Sequence, residues 1–162
     1  MIRLIIVLVL ILIFCFIVYF YLQKSIILQE SKNLIKEQPI IGPTVVIKSI
    51  RIPVLLAKTD EEIQKGLSGM ISLEKNKGML FIFSQSYVYR FWMKDMMFPI
   101  DIIWINNNKV VDIENNVLNN FDISKPHFYT PRTPVNFVLE VNARFASENK
   151  IKIGDTISFI EI

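Results

Sequence analysis

The chain opens with a long apolar run and then changes to short apolar segments separated by polar residues. Residues 4–22 contain no charged side chain and consist mainly of Leu, Ile, Val and Phe. At 1.5 Å per residue such a run forms a helix about 28 Å long, which matches the hydrocarbon thickness of a bilayer. The pattern therefore predicts a transmembrane anchor over residues 1–22.

A cleaved signal peptide is the alternative interpretation of this run. Its apolar core would be shorter and would end in small residues, whereas the sequence after Tyr19 contains no Ala-x-Ala-like site. Tyr19, Tyr21 and Lys24 are typical of the interfacial end of an uncleaved helix. Arg3 favours a cytoplasmic N-terminus, although the lysines that follow the run favour the opposite orientation. We expect a single-pass protein of the cell membrane, with its domain on the extracytoplasmic side.

Residues 23–43 differ from the run before them because charged residues interrupt their apolar positions. Apolar residues spaced at helical intervals predict a short amphipathic continuation of the helix, and Pro39 and Pro43 are expected to stop it. This segment is predicted to be a juxtamembrane tether, and residues 44–162 to be the folded domain.

The pattern of residues 44–162 is typical of an all-β domain with one or two short helices. β-branched and aromatic residues predict strands in short segments bounded by turn residues, over residues 44–47, 50–57, 78–83, 87–93, 100–105, 110–113 and 136–141. Residues 151–159 are expected to form a turn that leads into a final strand. The three asparagines before Lys109 predict a hairpin turn. We expect one sandwich-like or jelly-roll-like domain.

Two helices and one long loop complete the prediction. Thr59 and Glu62 form the two ends of a capping box, which indicates the start of a helix. A single helical turn is expected at residues 144–148, capped by Asn142. Residues 114–134 are polar and contain three prolines. A loop of this length is often functional, and Phe128 within it is expected to belong to a binding loop or a lid.

Lys94 and Asp101 are charged residues within the most apolar part of the domain. Burial of an unpaired ion costs several kcal/mol, so we expect these two residues, or one of them with Asp95 or Arg90, to meet across a strand pair. Backbone donors are a further alternative for the carboxylate of Asp101. On a strand, Asp101 would share a face with the apolar Ile103. The functional alternative places the charges in a ligand-binding cleft, whose candidate residues are Trp92, Lys94, Asp101 and Trp104.

Composition excludes several classes of function. Residues 44–162 carry 14 basic and 13 acidic side chains, so they show no basic footprint for nucleic acid. With one cysteine, Cys15, and one histidine, His127, the chain has no disulfide framework and no zinc site, and no cofactor is predicted. Catalytic residues stay unknown and an enzyme is not favoured, because no nucleophile lies in a recognisable motif with a base.

Methionines in the same region leave a metal-binding alternative open. Met93, Met96 and Met97 carry soft thioether ligands that suit Cu(I). Methionine also fills irregular gaps in apolar cores, and this interpretation is favoured here. A copper binder and a small-ligand-processing enzyme that uses residues 91–101 are therefore kept as alternatives.

Six short motifs lie in the predicted domain, in the order Gly66-Leu67, Gly78-Met79-Leu80-Phe81, Phe91-Trp92-Met93-Lys94, Pro99-Ile100-Asp101-Ile102-Ile103, Val138-Leu139-Glu140-Val141 and Ile153-Gly154-Asp155. In this order and spacing they resemble the family called domain of unknown function 192 (DUF192). The chain departs from the family pattern at Asp95-Met96, where Asn-Thr is usual, and at Ser68 and Met70, where Met and Arg are usual. The resemblance implies a β-rich domain, commonly exported or membrane-anchored, without an established activity.

The sequence thus predicts an extracytoplasmic binding or interaction module held at the membrane by its N-terminal helix. The expected partner is a protein or a small molecule, and nucleic acid is not expected.

Overall fold

The computed structural model describes residues 2–37 and 42–162, with side chains described over residues 12–29 and 42–162. The chain divides into two compact units, residues 1–40 and residues 41–162. The first unit is helix α1 (Ile2–Glu37). The predicted helix stop at Pro39 lies outside the described residues.

Helix α1 contains a window, Leu12–Gln29, that is long and apolar enough to cross a membrane. Its mean hydropathy is 1.7, and none of its residues is buried. Exposure of this many apolar side chains to water is unfavourable. The same properties fit a membrane anchor and a signal sequence, and they weakly support a location at the membrane.

The second unit is a single all-β domain, which confirms the predicted fold class. Its elements are β1 (Thr44–Ile47), β2 (Ile50–Ala57), α2 (Asp60–Lys65), β3 (Gly78–Tyr87), β4 (Ile100–Asn106), β5 (Lys109–Val117), β6 (Val135–Asn142), α3 (Phe145–Glu148) and β7 (Ile157–Ile160). The described strands form one seven-stranded sheet in the order β5-β4-β6-β3-β2-β1-β7. The β2–β3 pair is parallel, and the other neighbouring pairs are antiparallel.

The sheet curls so that its two edge strands approach each other. Lys109 at the start of β5 forms a bridge with Thr156, which directly precedes β7. The backbone N–H of Ile157 also donates to the carbonyl of Asn108 at 2.9 Å. These bonds satisfy groups that an open sheet would leave exposed at its edges.

Residues on alternate positions of each strand separate into two apolar clusters, one on each face of the sheet. The inner cluster is formed by buried residues that include Val45, Ile52, Leu80, Ile103, Ile105, Leu139 and Val141. The outer cluster is formed by buried residues that include Leu67, Met79, Phe81, Phe91, Met93, Met96, Ile102, Trp104 and Val138. Two segments that connect strands, residues 66–76 and residues 88–99, thus help to cover the outer face of the sheet.

Residues 87–93 do not form the predicted strand. Strand β3 extends to Tyr87, and Phe91 alone continues the pairing through an isolated bridge to Tyr129. The two residues exchange backbone hydrogen bonds of 2.9 and 2.8 Å. The apolar alternation exists, but the partner of Phe91 is a single loop residue, so the pairing is too short for a strand.

The capping box of α2 is confirmed, whereas the predicted cap of α3 is wrong. The N–H of Glu62 donates to the Thr59 hydroxyl at 3.3 Å, and the N–H of Thr59 donates to the Glu62 carboxylate at 3.0 Å. Asn142 instead donates to the carbonyls of Leu73 and Glu74, at 3.1 and 3.2 Å. Its side chain therefore binds the segment before β3.

Candidate functional site

Asp101 is a fully buried carboxylate that is satisfied by backbone donors. It accepts hydrogen bonds from the N–H groups of Asn116 at 2.7 Å, Arg144 at 3.0 Å and Ala146 at 2.8 Å. The last two belong to the start of α3, so a side chain from β4 caps this helix. Asp101 thus holds β4, β5 and α3 together, on the inner face that it shares with Ile103.

The expected pair of Lys94 with Asp101 does not form. Lys94 is half-buried, and its Nζ lies 5.6 Å from the centre of the Trp92 ring, in a cation–π contact. Met93 beside it packs in the outer cluster, whereas Asp101 faces the inner side of the sheet. The sheet therefore separates the two charges, and the alternative of backbone donors for Asp101 is the correct one.

Trp104 is also placed differently from the candidate cleft. It is fully buried in the outer cluster and packs edge-to-face on Phe91, with ring centres 5.3 Å apart. Its Nε1 is buried and has no hydrogen-bond partner among the residues that the structure describes. Trp104 therefore forms part of the core beneath Phe91, while Trp92 is 40% exposed.

Trp92 lines a concave site with a volume of about 260 Å³, which we call the aromatic groove. Helix α2, the end of β3, the segment before β4 and the loop after β5 all contribute to its walls. Its lining residues are Ile63, Gln64, Phe83, Tyr89, Arg90, Phe91, Trp92 and Phe128.

The groove walls are ordered by ring stacking. Trp92 and Phe128 stack with their ring centres 5.7 Å apart and an interplanar angle of 19°. Arg90 places its guanidinium 4.1 Å from the centre of the Phe128 ring. Phe83 and Tyr89 form a second stack, with centres 3.6 Å apart. Such walls suit a flat apolar group, because ring faces offer large contact areas at a small cost in side-chain entropy.

The loop after β5, residues 118–134, is held to the domain at two points. One is the bridge between Tyr129 and Phe91. The other is Asp112 on β5, which is buried and accepts a hydrogen bond from the N–H of Arg132 at 3.1 Å. These contacts place Phe128 against Trp92, so the loop predicted to be a binding loop or a lid forms a wall of the groove.

A smaller cavity adjoins the groove and is lined by Glu140, and we call it the Glu140 pocket. Its volume is about 30 Å³, and it shares Ile63, Gln64, Phe91 and Trp92 with the groove. Its further lining residues are Lys65, Gly66, Leu67, Ser68, Phe81, Met96 and Glu140.

Glu140 is 5% exposed, and the described residues make no hydrogen bond or ion pair with its carboxyl group. Its neighbours across β6 are Met79 on β3 and Ile102 on β4, both apolar. Burial in this setting raises the pKa of Glu140 to about 8. Glu140 is the one charged residue within residues 135–141, and this is the signal by which the sequence could have identified it.

Comparison with known proteins places this domain in a family. The model of a family described as "Uncharacterized ACR", DUF192, matches residues 44–159. The chain belongs to the DUF192 family. The matched range begins with β1 and reaches into β7, so it includes the aromatic groove and the Glu140 pocket.

Two solved structures resemble the DUF192 domain. One is a proposed transcription regulator from Sinorhizobium meliloti 1021, with a TM-score of 0.66 and 23% identity over 74% of this chain and 93% of that chain. The other is a protein of unknown function from Novosphingobium aromaticivorans DSM 12444, with a TM-score of 0.63 and 28% identity over 75% of this chain and 89% of that chain. These likenesses support the fold. No curated protein matches the chain.

The methionines of the DUF192 domain pack mainly as core residues. Met79, Met93 and Met96 are buried in the outer cluster, and Met97 is exposed. In the part of the chain that the structure describes, no three His, Cys, Asp or Glu residues are grouped so that they could hold a metal ion.

Proposed function

We propose that this protein is a membrane-anchored binding module whose DUF192 domain, on the extracytoplasmic side, holds a small ligand with a flat apolar group. The observation that carries the proposal is the aromatic groove, in which Trp92 is 40% exposed and stacks on Phe128. An exposed tryptophan in a concave, aromatic-lined site is a common feature of binding sites for small organic molecules.

The dimensions of the groove favour a small molecule over a protein partner. Its volume of about 260 Å³ lies near the lower end of the range for small-molecule sites, so one or two fused rings would fill it. Arg90 contributes a cation at its edge, and Gln64 contributes polar atoms. Two further contacts support a preformed site, because Tyr129 and Asp112 hold the loop wall in place.

Binding can be tested with indole as a flat apolar probe and the full-length protein in detergent. We expect indole to shift the NMR signal of the Trp92 side-chain N–H, and Phe128→Ala to weaken this binding several-fold. Ile123→Ala is the matched control, because Ile123 lies in the same loop, is 80% exposed and does not line the groove. No shift at Trp92, or equal loss of binding in both variants, would contradict the groove as a ligand site.

The membrane arrangement is part of the same proposal. Residues 1–22 would form the anchor, residues 23–43 the tether, and residues 44–162 the exported domain. The window Leu12–Gln29 supports an anchor through its length and mean hydropathy. A C-terminal alkaline phosphatase fusion should be active in the membrane fraction, since this enzyme requires export. Activity of a cytosolic reporter at the same position would reverse the orientation, and a mature N-terminus beyond Lys24 would exclude the anchor.

A further inference from the structure

The Glu140 pocket holds a polar group that the fold itself does not use. Asp101 and Asp112, the other buried carboxylates of the described domain, both accept backbone hydrogen bonds. Glu140 is 5% exposed, has no partner among the described residues, and lines a cavity that adjoins the aromatic groove. Buried polar groups are nearly always hydrogen-bonded, so an exception that points into a cavity indicates a ligand contact.

We infer that Glu140 binds the polar edge of the ligand whose flat apolar part lies in the aromatic groove. This inference rests on the proposed function, and it adds the chemical class of the ligand. A protonated carboxyl group presents one donor and one acceptor side by side. Its complement is a neutral edge that also carries a donor beside an acceptor, as in a primary amide, a lactam or a heterocyclic amide.

The size of the pocket limits what can enter it. A volume of about 30 Å³ holds a group the size of roughly one or two water molecules, so an aromatic ring is too large to enter the Glu140 pocket. The polar edge would therefore enter the Glu140 pocket while its ring stays between the groove walls. Trp92 and Phe91 line both spaces, so the Glu140 pocket and the aromatic groove adjoin each other.

The surrounding charges favour a neutral edge over an ammonium group. The charged side chains that line the two spaces besides Glu140 are Lys65 of α2 and Arg90 of the segment before β4, both cations. The strands on either side of Glu140 present Met79 and Ile102, which carry no charge. A cationic ligand would be repelled by Lys65 and Arg90, and it would also require Glu140 to lose its proton in an apolar site.

Three probes of one size distinguish these possibilities: benzamide, benzylammonium and benzoate. We expect benzamide to bind the full-length protein at pH 6 at least about tenfold more tightly than either ion, as measured by the NMR shift at Trp92. Since the pKa of Glu140 is about 8, benzamide affinity should fall about tenfold between pH 6 and pH 9.

Two substitutions test whether Glu140 is the contact. Glu140→Gln keeps a donor beside an acceptor without a titratable proton, so it should bind benzamide at both pH values with little change. Glu140→Leu should lose at least about tenfold in benzamide affinity. Glu74→Gln, at an exposed position outside the pocket, is the control. Any pH dependence that remains in Glu140→Gln belongs to other groups, of which Tyr89 lines the groove.

Several outcomes would overturn the inference while the groove proposal stands. These are equal benzamide affinity in Glu140→Leu and wild type, tighter binding of benzylammonium than of benzamide, or benzamide binding that does not change with pH in the wild type. If neither indole nor benzamide shifts the Trp92 signal, the groove proposal fails and the inference fails with it.

Discussion

At the scale of single residues, the two buried carboxylates on β4 and β6 have opposite surroundings. Asp101 accepts three backbone hydrogen bonds on the inner face, whereas Glu140 has no partner among the described residues on the outer face. A carboxylate that is fully hydrogen-bonded contributes to stability, while an unpartnered one lowers it. The first residue is therefore expected to be structural, and the second is free for a ligand.

Removal of the Asp101 carboxylate should be costly, and removal of the Lys94 charge should not. Asp101→Ala leaves three backbone N–H groups without their acceptor, so we expect a loss of about 3 kcal/mol or more in the free energy of unfolding. Lys94→Met loses a partly exposed cation–π contact and should cost less than about 1 kcal/mol. Chemical denaturation of both variants and of the double variant measures these values.

The effects of the two substitutions should add within about 0.5 kcal/mol, because the sheet separates the side chains. A coupling energy of several kcal/mol between Lys94 and Asp101 would contradict the separation.

Glu140 should make the domain less stable as the pH rises. Its pKa is about 8 in the folded protein and near 4.5 in the unfolded chain, so between these values the folded state holds one more proton. The stability that this proton provides is fully present below pH 4.5 and is lost as the pH rises to about 8, by about 1.4 kcal/mol per pH unit. In Glu140→Gln this slope should be absent.

Urea denaturation of wild type and Glu140→Gln at pH 5, 6, 7 and 8 measures the difference in their free energies of unfolding at each pH. If the free energy of unfolding changes equally with pH in the two proteins, the carboxyl group of Glu140 ionises as freely in the folded protein as in the unfolded chain.

At the scale of elements, the loop after β5 is the most consequential segment because it supplies one wall of the groove. It follows a strand whose Asp112 is buried, and its own Arg132 meets that carboxylate through both the backbone and the side chain. The backbone bond is 3.1 Å long, and the side-chain ion pair, at 3.5 Å, involves an arginine that is 80% exposed. Exposed ion pairs contribute little, so the backbone bond should dominate.

Asp112→Ala and Arg132→Ala separate these two contacts. The first substitution removes the acceptor of the backbone bond and should cost about 1–3 kcal/mol in stability. It should also make Trp92 more accessible to iodide quenching, since the loop wall loosens. The second substitution keeps the backbone bond and should cost less than about 1 kcal/mol, with unchanged quenching. Equal effects of the two variants would mean that the ion pair, rather than the backbone bond, holds the loop.

At the scale of the whole molecule, the DUF192 domain contains both of its apolar clusters within residues 45–157. A domain of this size buries enough apolar surface to fold without cross-links. A truncated protein of residues 44–162 should therefore be soluble and should unfold in a single cooperative transition by calorimetry. A truncated protein that folds in detergent alone would show that part of residues 1–43 belongs to the core.

The sequence by itself determined those features that depend on neighbouring residues. Strands β1 and β2 begin and end where the apolar pattern places them, because their β-branched residues alternate between faces over a short span. Thr59 and Glu62 lie three positions apart, which is the spacing that a capping box requires. Alternation also placed Asp101 on the same face as Ile103, as the structure confirms.

The tertiary structure decided which segments cover each face and what each polar group meets there. Lys94 and Asp101 are seven residues apart, yet they lie on opposite sides of the sheet because residues 88–99 pack across the outer face instead of forming a strand. The side chain of Asn142 donates to a backbone carbonyl in the segment before β3, so it does not cap α3. Asp101 caps this helix instead, by accepting hydrogen bonds from residues that lie 43 and 45 positions later in the chain. Glu140 is unpartnered because β3 and β4 present apolar residues beside it, and these strand pairings arise only when distant segments meet. A local period sets the direction of a side chain, but its neighbours come from long-range contacts. Those contacts determine which buried carboxyl groups are hydrogen-bonded within the fold.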